Sequence, residues 1–112
     1  MVTQSRTLDL AFHALSNSTR RSVIERLQHG PASVKSLAEP FDMALPSFLQ
    51  HIKVLEDGGM VRSHKRGRVR IVEAIPTQIN SIATWLGSQR EAWTQRLDQL
   101  DAHLKTMEEQ DD

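Results

Sequence analysis

The chain has 112 residues, no cysteine, and 14 basic against 14 acidic residues. This length fits one domain with a sizeable hydrophobic core, and the lack of cysteine excludes disulfides, thiolate metal sites and thiol catalysis. No signal sequence opens the chain and no apolar run approaches the roughly 20 residues that span a membrane, so we expect a soluble, cytoplasmic protein without membrane contact.

The balanced total charge conceals an uneven distribution. Residues 1–75 carry 11 Lys and Arg against 7 Asp and Glu, whereas residues 76–112 carry 3 against 7. Five of the positive charges fall between Arg62 and Arg70. A local basic footprint of this kind is typical of a surface that binds nucleic acid.

Two amphipathic segments open the chain. Apolar residues at helical spacing predict a first helix over 5–15. Asn17 is placed to cap a second helix over 18–29, which Gly and Pro end. The second helix carries three arginines: Arg20, Arg21 and Arg26. We interpret them as a solvated face, and phosphate contact by the first two is the alternative.

The stretch 33–59 predicts two helices joined by a tight break. Ser33 is placed to cap the first of them, and Pro40 limits its length. Pro46 suits the first turn of the second helix, over 45–57, where its missing N–H costs nothing. Two glycines then end that helix.

The helix over 45–57 has an apolar face and a polar face. Three residues spaced at i, i+4 and i+7 form the apolar face: Phe48, Ile52 and Leu55. The opposite face carries Ser47, Gln50, His51 and Val54, with Lys53 to one side. Small or hydrogen-bonding groups with almost no carboxylate suit a helix that lies against an anionic polymer. The pattern predicts a DNA-recognition helix, and an ordinary amphipathic surface helix is the alternative.

Beyond residue 59 the hydrophobic period changes from 3.6 to 2. Residues 60–63 and 69–75 predict two strands, and the charged stretch 64–68 between them predicts a hairpin tip. A two-stranded hairpin is marginal alone, so it must pack against the helices. A hairpin directly after a helix-turn-helix makes a winged helix.

The last part of the chain, 77–107, predicts one long helix. An apolar stripe runs along it, and from Trp93 onward the stripe becomes a heptad seam. A helix of about 30 residues runs about 45 Å, longer than so small a domain can cover, so a second copy of the chain is the expected partner. The predicted dimer interface consists of Leu8, Phe12, Trp85, Leu86, Trp93, Leu97, Leu100 and Leu104. The two tryptophans either fill this interface or form the aromatic wall of a small-molecule pocket.

Several motifs, taken in order, resemble those of one family. They are ALSNSTRRSVIERL at the start, SVKSLAEPF, HIKVLEDGGMV and the RGR of the hairpin. Over about residues 12–100 the chain resembles the ArsR-type (arsenical-resistance-operon repressor) family of bacterial winged-helix regulators. The resemblance implies a mainly α fold with a small β-hairpin. Residues 1–112 would form a single winged-helix domain, with a helix-turn-helix at 33–59, a wing at 60–75 and a dimerisation helix at 77–107.

The resemblance also implies a function. The chain would act as a homodimer that binds a palindromic operator in double-stranded DNA and represses its own or a neighbouring operon. Implied contacts are to base edges in the major groove from Ser47, Gln50 and His51, and to the backbone or minor groove from Lys53, Lys65, Arg66 and Arg68. Ala44 departs from the family pattern, because a capping Ser is common there.

Other functions find less support in the sequence. Asp101 and His103 match the first half of a family zinc site, but no later His supplies the second half, so we expect no metal and no cofactor. An unidentified small-molecule effector remains open as a partner. No nucleophile–base pair or phosphate loop indicates an enzyme. The alternative function is a winged-helix module that docks a partner protein, which Leu49 and Val54 beside the polar face would favour.

Overall fold

The computed structural model describes residues 4–110, and the side chains of residues 6–110. The elements are α1 (Gln4–Leu15), α2 (Ser18–Leu27), β1 (Ala32–Ser33), α3 (Val34–Ala38), α4 (Leu45–Asp57), β2 (Val61–Arg66), β3 (Val69–Ala74) and α5 (Pro76–Gln110). Internal contacts divide the chain into two compact units, one ending at Ile82 and one starting at Ala83. The winged helix-turn-helix lies in the first unit.

Side-chain caps begin two of the helices, as the sequence predicts. Asn17 Oδ1 accepts a hydrogen bond from the Arg20 amide at 3.2 Å at the start of α2. Ser33 Oγ accepts one from the Ser36 amide at 3.0 Å at the start of α3. By contrast, Ala44 at the start of α4 makes no side-chain cap hydrogen bond, so Pro46 in the first turn is the remaining local signal for that start.

The sheet has three strands in the order β1-β3-β2, all antiparallel. Strands β2 and β3 pair from Val61 opposite Ala74 to Arg66 opposite Val69. Only Gly67 and Arg68 form the turn, and Gly67 has φ +65°, as the first position of a type II′ turn requires. The predicted loop over 64–68 is therefore too long, because residues 64–66 belong to β2. Strand β1, two residues paired with β3, was not predicted at all.

The core of the first unit forms around α4. Phe48, Ile52 and Leu55 are at most 2% exposed, as the predicted apolar face requires. Burial of each such side chain contributes about 1.5–3 kcal/mol relative to exposure. Gly58 lets α1 approach the end of α4, because a Cβ there would lie 2.9 Å from the Leu10 carbonyl oxygen.

Helix α5 begins at Pro76 and has 35 residues, which corresponds to about 52 Å. Among its described residues, Ile82 is buried in the core of the first unit. From Trp85 to Met107 its large apolar side chains are 43–62% exposed in the single chain. Within residues 4–110, no helix is both long enough and apolar enough to cross a membrane.

Candidate nucleic-acid interface

The outward side of α4 carries the residues that the sequence assigned to DNA. Ser47, Gln50 and Lys53 are exposed. Lys53 Nζ lies 3.9 Å from an oxygen of Asp57, but both side chains are more than half exposed, so this ion pair is weak and leaves the ammonium accessible.

One flank of α4 differs from the polar face that the helical pattern predicts. Val54 is half-buried and packs against the core, and His51 is also half-buried. The reason is that α1 and α2 both contact α4, so the flank that carries these residues faces other helices in part. The prediction that Val54 lies on the polar face is therefore wrong.

Arg20 of α2 lies against this flank and is 7% exposed. Its Nε donates a hydrogen bond to the Ala14 carbonyl at 2.9 Å, and its Nη2 donates to the His13 carbonyl at 3.0 Å. These carbonyls belong to the last turn of α1, where they lack partners within the helix and where a positive charge is favourable. The prediction that Arg20 belongs to a solvated face is wrong, since burial and these bonds commit it to the end of α1.

The same guanidinium reaches α4. Arg20 Nη1 lies 3.0 Å from His51 Nδ1. Burial, and then the positive charge of Arg20, lower the pKa of His51 from its ordinary value of 6.5. Arg21 next to it is exposed and donates to the Leu15 carbonyl at 2.7 Å, so both arginines complete the end of α1.

The hairpin concentrates positive charge. Lys65 lies directly opposite Arg70 in the strand register, a pairing of like charges that is unfavourable unless an anion lies nearby. Among the described residues, no carboxylate forms an ion pair with Lys65, Arg66 or Arg68 within 4.0 Å. The hairpin therefore presents a cationic edge suited to phosphate.

A hydrogen-bonded chain connects α4 with the hairpin. Ser63 Oγ donates to Glu56 Oε1 at 2.6 Å, and Arg70 Nη1 donates to Ser63 Oγ at 2.6 Å. These contacts fix the hairpin relative to the end of α4. Sequence reasoning missed all three residues, because their pairing depends on which strand face meets α4.

The residues predicted for the dimer interface are accessible to different degrees in the single chain. Leu8 is half-buried and packs against the core, and Phe12 is 36% exposed. The larger exposures belong to Trp85, Leu86, Trp93, Leu97, Leu100 and Leu104, which range from 43% to 62%.

The histidine and carboxylate side chains form no cluster of three suited to a metal ion within the described part of the chain. Asp101, half of the suggested Asp–His motif, lies 3.5 Å from Lys105 Nζ and forms an exposed ion pair with it.

Known proteins share this architecture. A helix-turn-helix domain family model matches residues 15–64. The HTH-type transcriptional regulator Rv2034 of Mycobacterium tuberculosis is 36% identical over 92 residues, which cover 82% of this chain and 83% of the relative. The crystal structure of the ArsR family transcriptional regulator RHA00566 superposes with a TM-score of 0.78 at 47% identity, over 84% of this chain and 97% of that one. The chain belongs to the ArsR family of transcriptional regulators.

Membership of the ArsR family confirms the winged helix-turn-helix fold and the function class predicted from the motifs. This ArsR-family protein is a DNA-binding transcriptional regulator. A further relative, the transcriptional repressor SdpR of Bacillus subtilis, is 25% identical over 75 residues, covering 67% of this chain and 83% of the relative. None of these relatives supports the alternative of a module that docks a protein.

Proposed function

We propose that this ArsR-family regulator works as a homodimer that binds a palindromic operator in double-stranded DNA and represses its own or a neighbouring operon. The observation that carries this proposal is the arrangement of α4 and the hairpin. Helix α4 contacts β2, and the hairpin cations Lys65, Arg66 and Arg68 form no ion pair with a carboxylate among the described residues. A base-reading surface and a phosphate-binding surface thus adjoin each other.

Helix α4 is the element that enters the major groove. Its 13 residues span about 20 Å, and the groove is about 12 Å wide, enough to admit a helix. Gln50 is exposed and its amide suits the N6 and N7 atoms of adenine, whereas the Ser47 hydroxyl suits several bases. His51 supplies the third contact to a base edge.

The cations near α4 supply affinity without sequence preference. Lys53, Lys65, Arg66 and Arg68 are exposed and bind phosphate oxygens in this proposal. Four phosphates in each copy make eight in the dimer, and at a slope of about −0.9 each the log of the binding constant falls with a slope of about −7. Affinity then drops about 10⁴-fold between about 50 and 200 mM salt.

Dimerisation rests on the exposed stripe of α5. Large apolar side chains at heptad spacing lie on one side of this helix, and an exposed apolar patch of this extent calls for a partner. A second copy of the same helix offers the matching seam. The dimer then presents two recognition helices about 34–36 Å apart, one turn of DNA.

The repressor role comes from the Bacillus subtilis relative, which is named a transcriptional repressor. When the dimer is bound across a promoter, it excludes RNA polymerase. This function is carried out in the cytoplasm and needs neither a catalytic residue nor a cofactor. The proposal includes an unidentified small-molecule effector, whose binding would release the protein from its operator.

Selection of bound sequences from random duplex DNA tests the proposal. We expect enrichment of a palindrome whose half-sites lie about 10–10.5 base pairs apart, together with weak binding to random duplex that disappears by about 200 mM salt. Arg68→Glu should weaken the binding to random duplex, and Lys105→Glu, the same charge change on α5, should leave it intact. Absence of both the palindrome and the weak binding would instead favour the protein-docking alternative.

A further inference from the structure

Arg20 holds its position independently of the recognition helix. Two of its nitrogen atoms donate to the Ala14 and His13 carbonyls, and Nη2 also lies 3.4 Å from Ser16 Oγ. All three of these partners belong to the end of α1 or to the residue that follows it. The buried guanidinium is therefore a fixed group against which α4 places His51.

The contact between Arg20 and His51 restricts the protonation of the imidazole. A guanidinium has five N–H donors and no acceptor, and it stays protonated in proteins. His51 Nδ1, 3.0 Å from Nη1, can therefore only accept the hydrogen bond. A neutral imidazole with an unprotonated Nδ1 carries its proton on Nε2.

We propose that Arg20 is a positioning residue for DNA specificity, which holds His51 as the neutral Nε2–H tautomer so that α4 presents a hydrogen-bond donor there and no acceptor. This inference rests on the proposed function, in which His51 meets base edges. The lowered pKa of His51 agrees with it, because burial and the charge of Arg20 both oppose the doubly protonated ring.

A donor at this position selects among base edges. In the major groove, guanine offers N7 and O6, adenine offers N7 and thymine offers O4 as acceptors, whereas cytosine offers the N4 donor. His51 is therefore expected to reject cytosine at the base that it faces, by on the order of tenfold. Since the ring is neutral, His51 adds nothing to the dependence of binding on salt.

Nuclear magnetic resonance of the full chain tests the tautomer directly. With ¹⁵N-labelled histidine, long-range ¹H–¹⁵N correlations at pH 7 show which ring nitrogen carries the proton, and His51→Gln assigns the signals. We expect an unprotonated Nδ1 and a protonated Nε2. A protonated Nδ1 in the wild-type protein would overturn the proposal.

Two variants distinguish a specific effect of Arg20 on the His51 tautomer from a general effect on the structure. Arg20→Met removes the donors and should leave His51 as a mixture of tautomers with a raised pKa. Arg21→Met removes the neighbouring arginine, which bonds Leu15 and not His51, and should leave the His51 signals unchanged. An unchanged His51 spectrum in Arg20→Met would refute the assignment. If Arg20→Met does not fold, Arg20→Gln replaces it. Its uncharged amide can present an acceptor as well as a donor to His51, so both tautomers are expected.

Selection from random DNA gives a second readout. Wild-type protein should exclude cytosine at one position of each half-site, and Arg20→Met should accept it there while the rest of the motif persists. A selected motif together with a protonated Nδ1 would overturn the role of Arg20 and leave the proposed function intact. The expected tautomer without any DNA binding would overturn the proposed function and, with it, the reading of bases by His51.

Discussion

The exposed seam of α5 gives the most quantitative prediction. Leu100 lies in the middle of the heptad stripe and is 53% exposed in the single chain. If a second copy covers this stripe, Leu100→Ala should weaken the dimer while leaving the winged helix folded. The buried core of the first unit does not include this residue.

The size of the effect follows from the exposed fraction of the side chain. Full burial of a leucine contributes about 1.5–3 kcal/mol, so covering the exposed half contributes about 0.8–1.6 kcal/mol. Each dimer contains two copies of Leu100, which makes about 2–3 kcal/mol for the substitution. At about 1.4 kcal/mol for each factor of ten, the dimer dissociation constant should rise about 30–150-fold.

Sedimentation equilibrium over a range of protein concentrations measures this constant. Gln95→Ala is the matched control, because Gln95 is exposed on the same helix and lies off the heptad seam. We expect its dissociation constant to equal that of the wild-type protein. A wild-type chain that sediments as a single copy at all concentrations, or a Leu100→Ala variant as tightly dimeric as Gln95→Ala, would refute the reasoning.

Three further predictions concern stability. Gly58→Ala forces a methyl group against the Leu10 carbonyl and should cost about 1–3 kcal/mol by thermal denaturation. Gly87→Ala, whose methyl would meet nothing within 4 Å, lies inside α5 and should instead stabilise the protein by up to about 1 kcal/mol, because alanine favours a helix over glycine. Ala44→Ser should stabilise the protein by about 1 kcal/mol in urea denaturation by supplying the missing cap of α4, and Ala44→Val should not. Folding lowers the pKa of His51, so the neutral imidazole contributes to the free energy of unfolding above about pH 6.5, and this contribution is lost as the pH falls through the pKa of the folded state. The His51→Gln variant should lack this part of the pH dependence of stability.

The sequence predicted an element correctly where the signals for that element lie within the segment itself. Helix α4 was bounded correctly at 45–57 because Pro46, the apolar period and the two glycines all act within that segment. The buried face of α4, with Phe48, Ile52 and Leu55, was predicted correctly for the same reason. Strand β1 escaped prediction because two residues cannot show an alternating pattern, and its pairing partner Val72 is 40 residues away.

The polar flank of α4 was only partly predictable. A helical projection places Val54 and His51 together but contains no information on which neighbouring helix covers them. Arg20 lies 31 residues before His51, so neither burial of the arginine nor its contact with the imidazole can be read from spacing. One signal was present: two arginines soon after a helix end are well placed to bind its last carbonyls.

The hairpin shows the same division between local and distant signals. Gly67 marked the turn correctly, because a positive φ favours glycine. The length of β2 was underestimated because charged residues 64–66 read as loop although they pair regularly with β3. Their exposure on a strand, at the cationic edge of the sheet, is what makes them suited to phosphate.

Binding of the selected operator by two single variants tests the central claim most directly. Fluorescence anisotropy with the operator and with its single-base variants should show that Gln50→Ala loses about 1–3 kcal/mol at one base position only. Arg68→Ala should weaken binding to all these sequences alike and reduce the salt slope by about one for each copy of the chain. If Gln50→Ala weakens all sequences equally, or if neither variant changes binding, α4 is not the element that reads the DNA.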